Sequence, residues 1–407
     1  MIVWFSRILY ATAEIIDAFV LLSDKFNNSL SYRRQWRLYL RRPPASETLW
    51  IHGASAGELE DLAAFFSNEN NLKAIGFSHK QLILTSSSVS ADSKLKLWGN
   101  KFNLCYAGPI PPESRSNCAE FFKRLKPKLL ILSHSDVWPT LFSEAARTKK
   151  LKALWLPAKN KDLGYVRKSL LKKILLHIGL RNKSDSFDFR VEQSFIGNPR
   201  IDRVLERIKI ETTSTQHVLD FDQCQPKLGF INIIIGSAWR EDAQFLSKAI
   251  QRLKPETIEK LNIVLIPHDP QNSHEVALIK NQLSFAQISL TEGILLEAYK
   301  GFSLAFVGGG FRTGLHSILE PALWGLPVLC GPKLEKQPEA KTLGESRQLF
   351  SYSNPQDLAL FLENFSSDQN FQKEILEGCK VSRDKLSSAR GANIRLVETI
   401  KSLNLPG

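Results

Sequence analysis

The chain has 407 residues, of which 43% are hydrophobic and 23% charged, and it carries a formal net charge of +13. That composition excludes a disordered chain and a polytopic membrane protein, and the length suits about two domains. The basic excess predicts a polyanionic partner, either nucleic acid, an anionic membrane or a phosphorylated substrate. Nucleic acid is the least favoured of these, because the basic residues are not interleaved with aromatic ones and no reader motif is present. Cys105, Cys118, Cys224, Cys330 and Cys379 are scattered and form no CxxC pair. They predict neither a zinc site nor a disulfide framework, and they suit a reducing cytoplasm.

Met1 to Leu22 is largely apolar but interrupted by Arg7, Glu14 and Asp17. At ~100° per residue these three charges share one helix face. A helix lying in the membrane interface keeps that face in water, whereas a spanning helix would bury it. The alternative is a helix packed on the domain. Arg33, Arg34, Arg37, Arg41 and Arg42 follow as a basic cluster suited to an anionic leaflet. Residues 1–42 are therefore expected to act as an anchor.

After Pro43 and Pro44, short apolar runs alternate with helical patterns. Leu49 to His52, Gln81 to Thr85, Lys128 to Leu132 and Leu151 to Leu156 read as strands, each ending in small or polar residues. Ligands are expected at such carboxyl ends in a doubly wound α/β fold. Val166 to Lys183 has apolar residues at helical spacing beside several lysines, and reads as a surface helix or a membrane-facing one. Ser194 to Gly197 resumes strand character. Glu211 to Lys227 reads as a linker; it contains Asp220-Phe221-Asp222, a DxD string whose polar setting argues against a metal role.

The second half repeats the pattern. Phe230 to Ile235 and Ile263 to Ile266 read as strands, ending in Gly236-Ser237-Ala238-Trp239 and Pro267-His268-Asp269-Pro270. Leu304 to Val307 is another strand, followed by Gly308, Gly309 and Gly310 and then by a helix start at Gly314 to Pro321. Gly325 and Pro327 end that helix and a further strand begins. A strand, a glycine turn and a helix N-terminus in this order predict an anion site. Pro355 to Leu403 is mostly helical. The expected domains are 43–205 and 206–407, both Rossmann-like and facing across a cleft, with the last helix free to cross back.

Six strings occur in order along most of the chain. His52 to Glu58 resembles the HxxSxGE motif of the 3-deoxy-D-manno-octulosonic acid (Kdo) transferases of lipopolysaccharide assembly. Asp136-Val137-Trp138-Pro139 is similar to their E-L-W-P string, Gly197 to Asp202 to GN-x-K-x-D, and Gly236 to Trp239 to their GST string. Pro267 to Pro270 is similar to P-R-H-P, and Gly314 to Pro321 to GGHNPLEP. The resemblance implies a GT-B-type inverting glycosyltransferase that moves Kdo from CMP-Kdo to a lipid A precursor, without a metal or other cofactor, at the cytoplasmic face of the inner membrane.

It also implies roles. Glu58 would be the base that takes the acceptor proton, the plainer reading being a helix-start carboxylate. Arg200 stands where the family has a lysine for the leaving phosphate, and His134 where it often has a glutamate. His52 reads as a structural hydrogen-bonder. Ser237, His268, Asp269, Gly293, Gly309, Gly310, Ser317, Ile318, Leu319 and Glu320 fall in donor-binding positions, Glu320 as a ribose ligand. His268-Asp269 replaces Arg-His, exchanging a fixed cation for a titratable one. Ile294, Leu315 and Ser317 also depart from the family strings. Arg312 and Lys333 are further cations for the sugar carboxylate or the phosphate. The alternatives are a UDP-sugar transferase or epimerase, and a catalytically lapsed homologue.

Overall fold

A computed structural model describes residues 24–41, 43–148, 150–157, 163–213, 224–312, 314–335 and 337–403. The Met1 to Leu22 segment, Arg42 and Asp220-Phe221-Asp222 lie outside them. The chain divides into two compact units, one of residues 1–203 and 390–407, the other of residues 204–389.

The first unit is built on seven parallel strands: β1 (Thr48–His52), β2 (Leu82–Ser86), β3 (Tyr106–Pro109), β4 (Pro127–Ser133), β5 (Lys152–Leu156), β6 (Leu175–Leu180) and β7 (Glu192–Phe195). Their order is β3-β2-β1-β4-β5-β6-β7. Every residue of β1 and β2 is buried. A parallel sheet covered on both faces needs apolar residues at successive positions, which explains the continuous runs in the sequence. Trp50, Leu130 and Leu132 pack on one side with Phe121 and Trp155; Leu49, Ile51 and Ile131 pack on the other with Phe65 and Leu396.

The second unit carries six parallel strands: β8 (Ile231–Ala238), β9 (Leu261–Pro267), β10 (Gln287–Ile288), β11 (Leu304–Val307), β12 (Val328–Cys330) and β13 (Leu349–Ser351), in the order β10-β9-β8-β11-β12-β13. In both sheets the strand order reverses beside the first strand. The switch points fall between β1 and β4 and between β8 and β11, where ligands of open α/β sheets bind.

Two expectations need correction. Val166 to Lys183 is not one helix: the helix Gly164–Lys172 gives way to β6. Leu170 to Ile178 satisfies helical spacing, but Leu175 to Leu180 fills a slot between β5 and β7 that is buried on both faces. The basic cluster is partly built into the protein. Arg33 is buried, donates to the Pro111 carbonyl at 2.7 Å and stacks on Trp138, while Arg37 pairs with Glu120. No helix among the described residues is long and apolar enough to cross a membrane.

The last helix, Ala392–Ser402, packs on the first sheet through Ala392, Leu396, Val397 and Ile400. Asp202 fastens it by accepting the amides of Gly391 and Asn393, both at 2.8 Å. Asp202→Ala removes both acceptors and is expected to destabilise the first unit by about 1–2 kcal/mol in urea unfolding, with faster proteolysis of the last helix.

Candidate active site

At the β1–β4 switch point a tight turn carries Glu58. Ser55 caps the helix Ala56–Glu60 by accepting the Glu58 amide. Gly53 allows the close approach there, since a Cβ would lie 3.1 Å from Glu58 Cβ and crowd the turn. Glu58 Oε2 accepts the Ala54 amide at 2.7 Å, so one oxygen steadies the turn. Oε1 lies 4.0 Å from His134 Nδ1, and the Glu58 side chain is 24% exposed. The carboxylate is thus both a turn brace and a partly open acceptor.

His134 follows β4 with a φ of +61°, a left-handed conformation unusual for a histidine. Its amide donates to the Leu156 carbonyl at 3.0 Å, and its own carbonyl accepts the Trp155 indole. These bonds hold the turn that swings its ring toward Asp61, whose Oδ2 is 3.1 Å from Nε2. Arg181 Nη1 reaches the same oxygen at 3.0 Å, and Arg200 Nε lies 3.4 Å from Oδ1. Burial would raise the Asp61 carboxyl, but Arg181, His134 and Arg200 outweigh it and hold it well below the usual carboxylate range.

His134 and Arg200 therefore converge on Asp61, which sequence reasoning had not singled out, and Glu58 lies 4.0 Å from the other side of the His134 ring. Asp61 lies one helical turn beyond Glu58, a spacing that could have found it. Arg181 carried no signal.

Beside this cluster His52 is fully buried. Its Nδ1 is 2.8 Å from Thr85 Oγ1 and its Nε2 3.1 Å from Asp136, which also accepts from Ser87 at 2.7 Å. Burial pushes the Asp136 carboxyl up, yet His52, Ser87 and Trp138 bring it down to about 2. These partners fix His52 as a hydrogen-bonding strut under the turn.

In the second unit the three glycines serve packing. A Cβ on Gly308 would lie 2.3 Å from the Ser237 carbonyl oxygen, and one on Gly310 2.7 Å from Gly331. Gly309 has a φ of +90°, and its amide donates to Asp242 Oδ2 at 2.9 Å. Trp239 N donates to the same oxygen, also at 2.9 Å. The anion beneath the glycine turn is thus the protein's own Asp242. Ser237, with a φ of +54°, completes the close approach of β8 to β11. Ser317 precedes a helix of only six residues, Leu319–Trp324, whose Ile318 and Leu319 are buried while Ser317 and Glu320 are half-buried. Gly293 is set apart from the other glycines, its carbonyl accepting from Arg207, which pairs with Glu297.

His268 sits in an aromatic stack. Its ring centroid is 4.5 Å from that of Trp239 and 4.3 Å from that of His316, and Trp239 Nε1 donates to His316 Nε2 at 3.2 Å. Burial lowers the pKa of His268 despite Asp269, with Arg312 adding to the decrease; burial and His268 take His316 down to about 4. Burial thus favours the neutral form of both rings. Arg312 is the nearby charge, 4.0 Å over the Trp239 ring. Lys333 donates to the Arg312 carbonyl at 2.6 Å.

Asp242 is fully buried with Oδ1 lacking a hydrogen-bond partner, and burial raises its carboxyl to about 6 despite the two amides. A carboxyl raised on folding stabilises most below its unfolded value, near 4, and loses that contribution as pH rises through about 6. Asp242→Asn keeps an oxygen for both amides, so the variant should gain melting temperature relative to wild type as pH rises from 4 to 7.

Residues 30–175 match the family model described as 3-deoxy-D-manno-octulosonic-acid transferase (kdotransferase). The 3-deoxy-D-manno-octulosonic acid transferase of Aquifex aeolicus is 27% identical over 348 residues, covering 80% of this chain and 87% of that protein. That of Rickettsia typhi is 24% identical, covering 85% and 77%. A glycosyltransferase from Rickettsia africae shares the fold, with a TM-score of 0.55 and 13% identity over 88% of this chain and 98% of its own. The similarity to these transferases supports reading this chain as a glycosyltransferase, and its two Rossmann-like α/β units accord with that. Over most of its length it is similar to the Kdo transferases, at 24–27% identity.

Proposed function

We propose that the protein transfers Kdo from CMP-Kdo to a lipid A precursor, lipid IVA, with inversion at the anomeric carbon. The observation that carries this reading is the chain of Glu58, His134, Asp61 and Arg200 at the β1–β4 switch point. In the reaction Glu58 takes the proton of the acceptor hydroxyl as its oxygen bonds to the anomeric carbon. The bond from that carbon to the phosphate oxygen breaks, and its electron pair leaves with CMP. Fixed cations stabilise that growing charge; Arg200 and Arg312 are the candidates. Trp239, His268 and His316 would offer neutral rings to the nucleotide, and Glu320 a carboxylate to its ribose.

Incubating the full chain with CMP-Kdo and lipid IVA tests this directly, and no Kdo-bearing lipid would sink it. Thermal shift with CMP and with UDP distinguishes the donor: stabilisation by UDP alone would favour a UDP-sugar enzyme. Nucleotide binding without turnover on any acceptor would favour a lapsed enzyme.

The reaction belongs, on the same reading, at the cytoplasmic face of the inner membrane. The net charge of +13 supports attraction to anionic lipid. The chain should co-sediment with phosphatidylglycerol vesicles but not with phosphatidylcholine vesicles, and added salt should weaken that binding.

A further inference from the structure

Once Glu58 has taken the acceptor's proton it must lose it before the next turnover, and its Oε2 is held by the Ala54 amide. The only imidazole facing its other oxygen among the described residues is that of His134, with Nδ1 4.0 Å away. The far side of that ring meets Asp61 at 3.1 Å. Asp61 also accepts from Arg181 and lies against Arg200, so it is a carboxylate that accepts and does not donate. The Nε2 atom must therefore carry a hydrogen, and in the neutral ring that leaves the Nδ1 lone pair toward Glu58. The left-handed backbone of His134, pinned by Leu156 and Trp155, gives the ring this aim.

We propose that His134 and Asp61 form a dyad that relays the proton away from Glu58, His134 as its acceptor and Asp61 as the positioning residue. The proposal rests on the reading of Glu58 as the base. The Glu58 O–H bond breaks and the proton joins the Nδ1 lone pair, directly after a small closure or through one water. The resulting imidazolium lies between the Glu58 and Asp61 carboxylates, and Nε2–H stays on Asp61. The proton then passes to solvent at the partly exposed ring, which is 28% accessible. Arg181 and Arg200 face Asp61 from the other side, and neighbouring Glu60 is paired with Arg203 and Lys94. Asp61 thus resembles in role the carboxylate that fixes the histidine tautomer in a hydrolase triad.

The test uses the full chain labelled with 15N-histidine, the His134 signals being identified by their absence in His134→Gln. The wild type should show the Nε2–H tautomer at His134, and Asp61→Asn should lose it, because the amide presents a donor. In Kdo transfer Asp61→Asn should lower kcat roughly 10²-fold with both KM values unchanged, and Asp61→Glu should restore part of the loss. His134→Gln keeps the pairing of Asp61 with both arginines and should reproduce the kcat loss if Asp61→Asn fails to fold. An Nδ1–H tautomer in the wild type, or unaltered kcat in the folded variants, overturns the dyad. If the wild type transfers no Kdo, the functional reading fails while the tautomer measurement still decides the dyad.

Discussion

Glu58→Gln is expected to lower kcat for Kdo transfer by roughly 10²–10⁴-fold, the range for a lost general base. Glutamine retains an oxygen for the Ala54 amide, so the turn after β1 should keep its shape. Ser55 still caps the helix through the residue-58 amide. The melting temperature should therefore move little, and CMP should bind as to wild type, because its expected ligands lie in the second unit. Retained turnover would remove Glu58 from the chemistry and leave it as a brace of the turn.

Arg181→Met should act on stability instead. Arg181 is buried and donates to a buried carboxylate, Asp61, at 3.0 Å. Removing one partner of a buried pair costs about 3–5 kcal/mol because the remaining charge is uncompensated. Arg200 and His134 remain near Asp61, so about 3 kcal/mol is expected in urea unfolding of the first unit. The pH dependence has a definite sign. A carboxyl held down in the folded state adds stability above its unfolded value, near 4, and loses it as pH falls. With Arg181 gone the depression shrinks, so acid unfolding should begin at higher pH than in wild type. Unchanged urea and acid midpoints would mean that Arg181 does not support Asp61.

Strands buried on both faces were legible because they leave apolar runs: β1, β2, β4, β5, β8, β9 and β11 all lie where the sequence predicts. β6 was hidden, since Leu170 to Ile178 fits helical and strand packing alike until neighbours decide. β3 contains Gly108 and Pro109, and β10 and β13 have two and three residues, too short for a period to register. The turns carrying Glu58 and His134 could be located from their strings. Their electrostatic partner could not be assembled, because Arg181 is 120 residues from Asp61 in the chain. The glycine turn was legible as an anion cradle, but its Gly309 amide is occupied by a side chain 67 residues earlier, Asp242.

The return of the helix Ala392–Ser402 to the first sheet sets an order of events during synthesis. Residues 204–389 form one contiguous unit and can leave the ribosome complete. The first unit is interrupted: its sheet emerges early, yet the surface that receives Leu396 and Ile400 stays uncovered until the last helix appears. For that interval the apolar partners of the last helix, Leu72 among them, lack their cover, which leaves an exposed surface prone to misassembly.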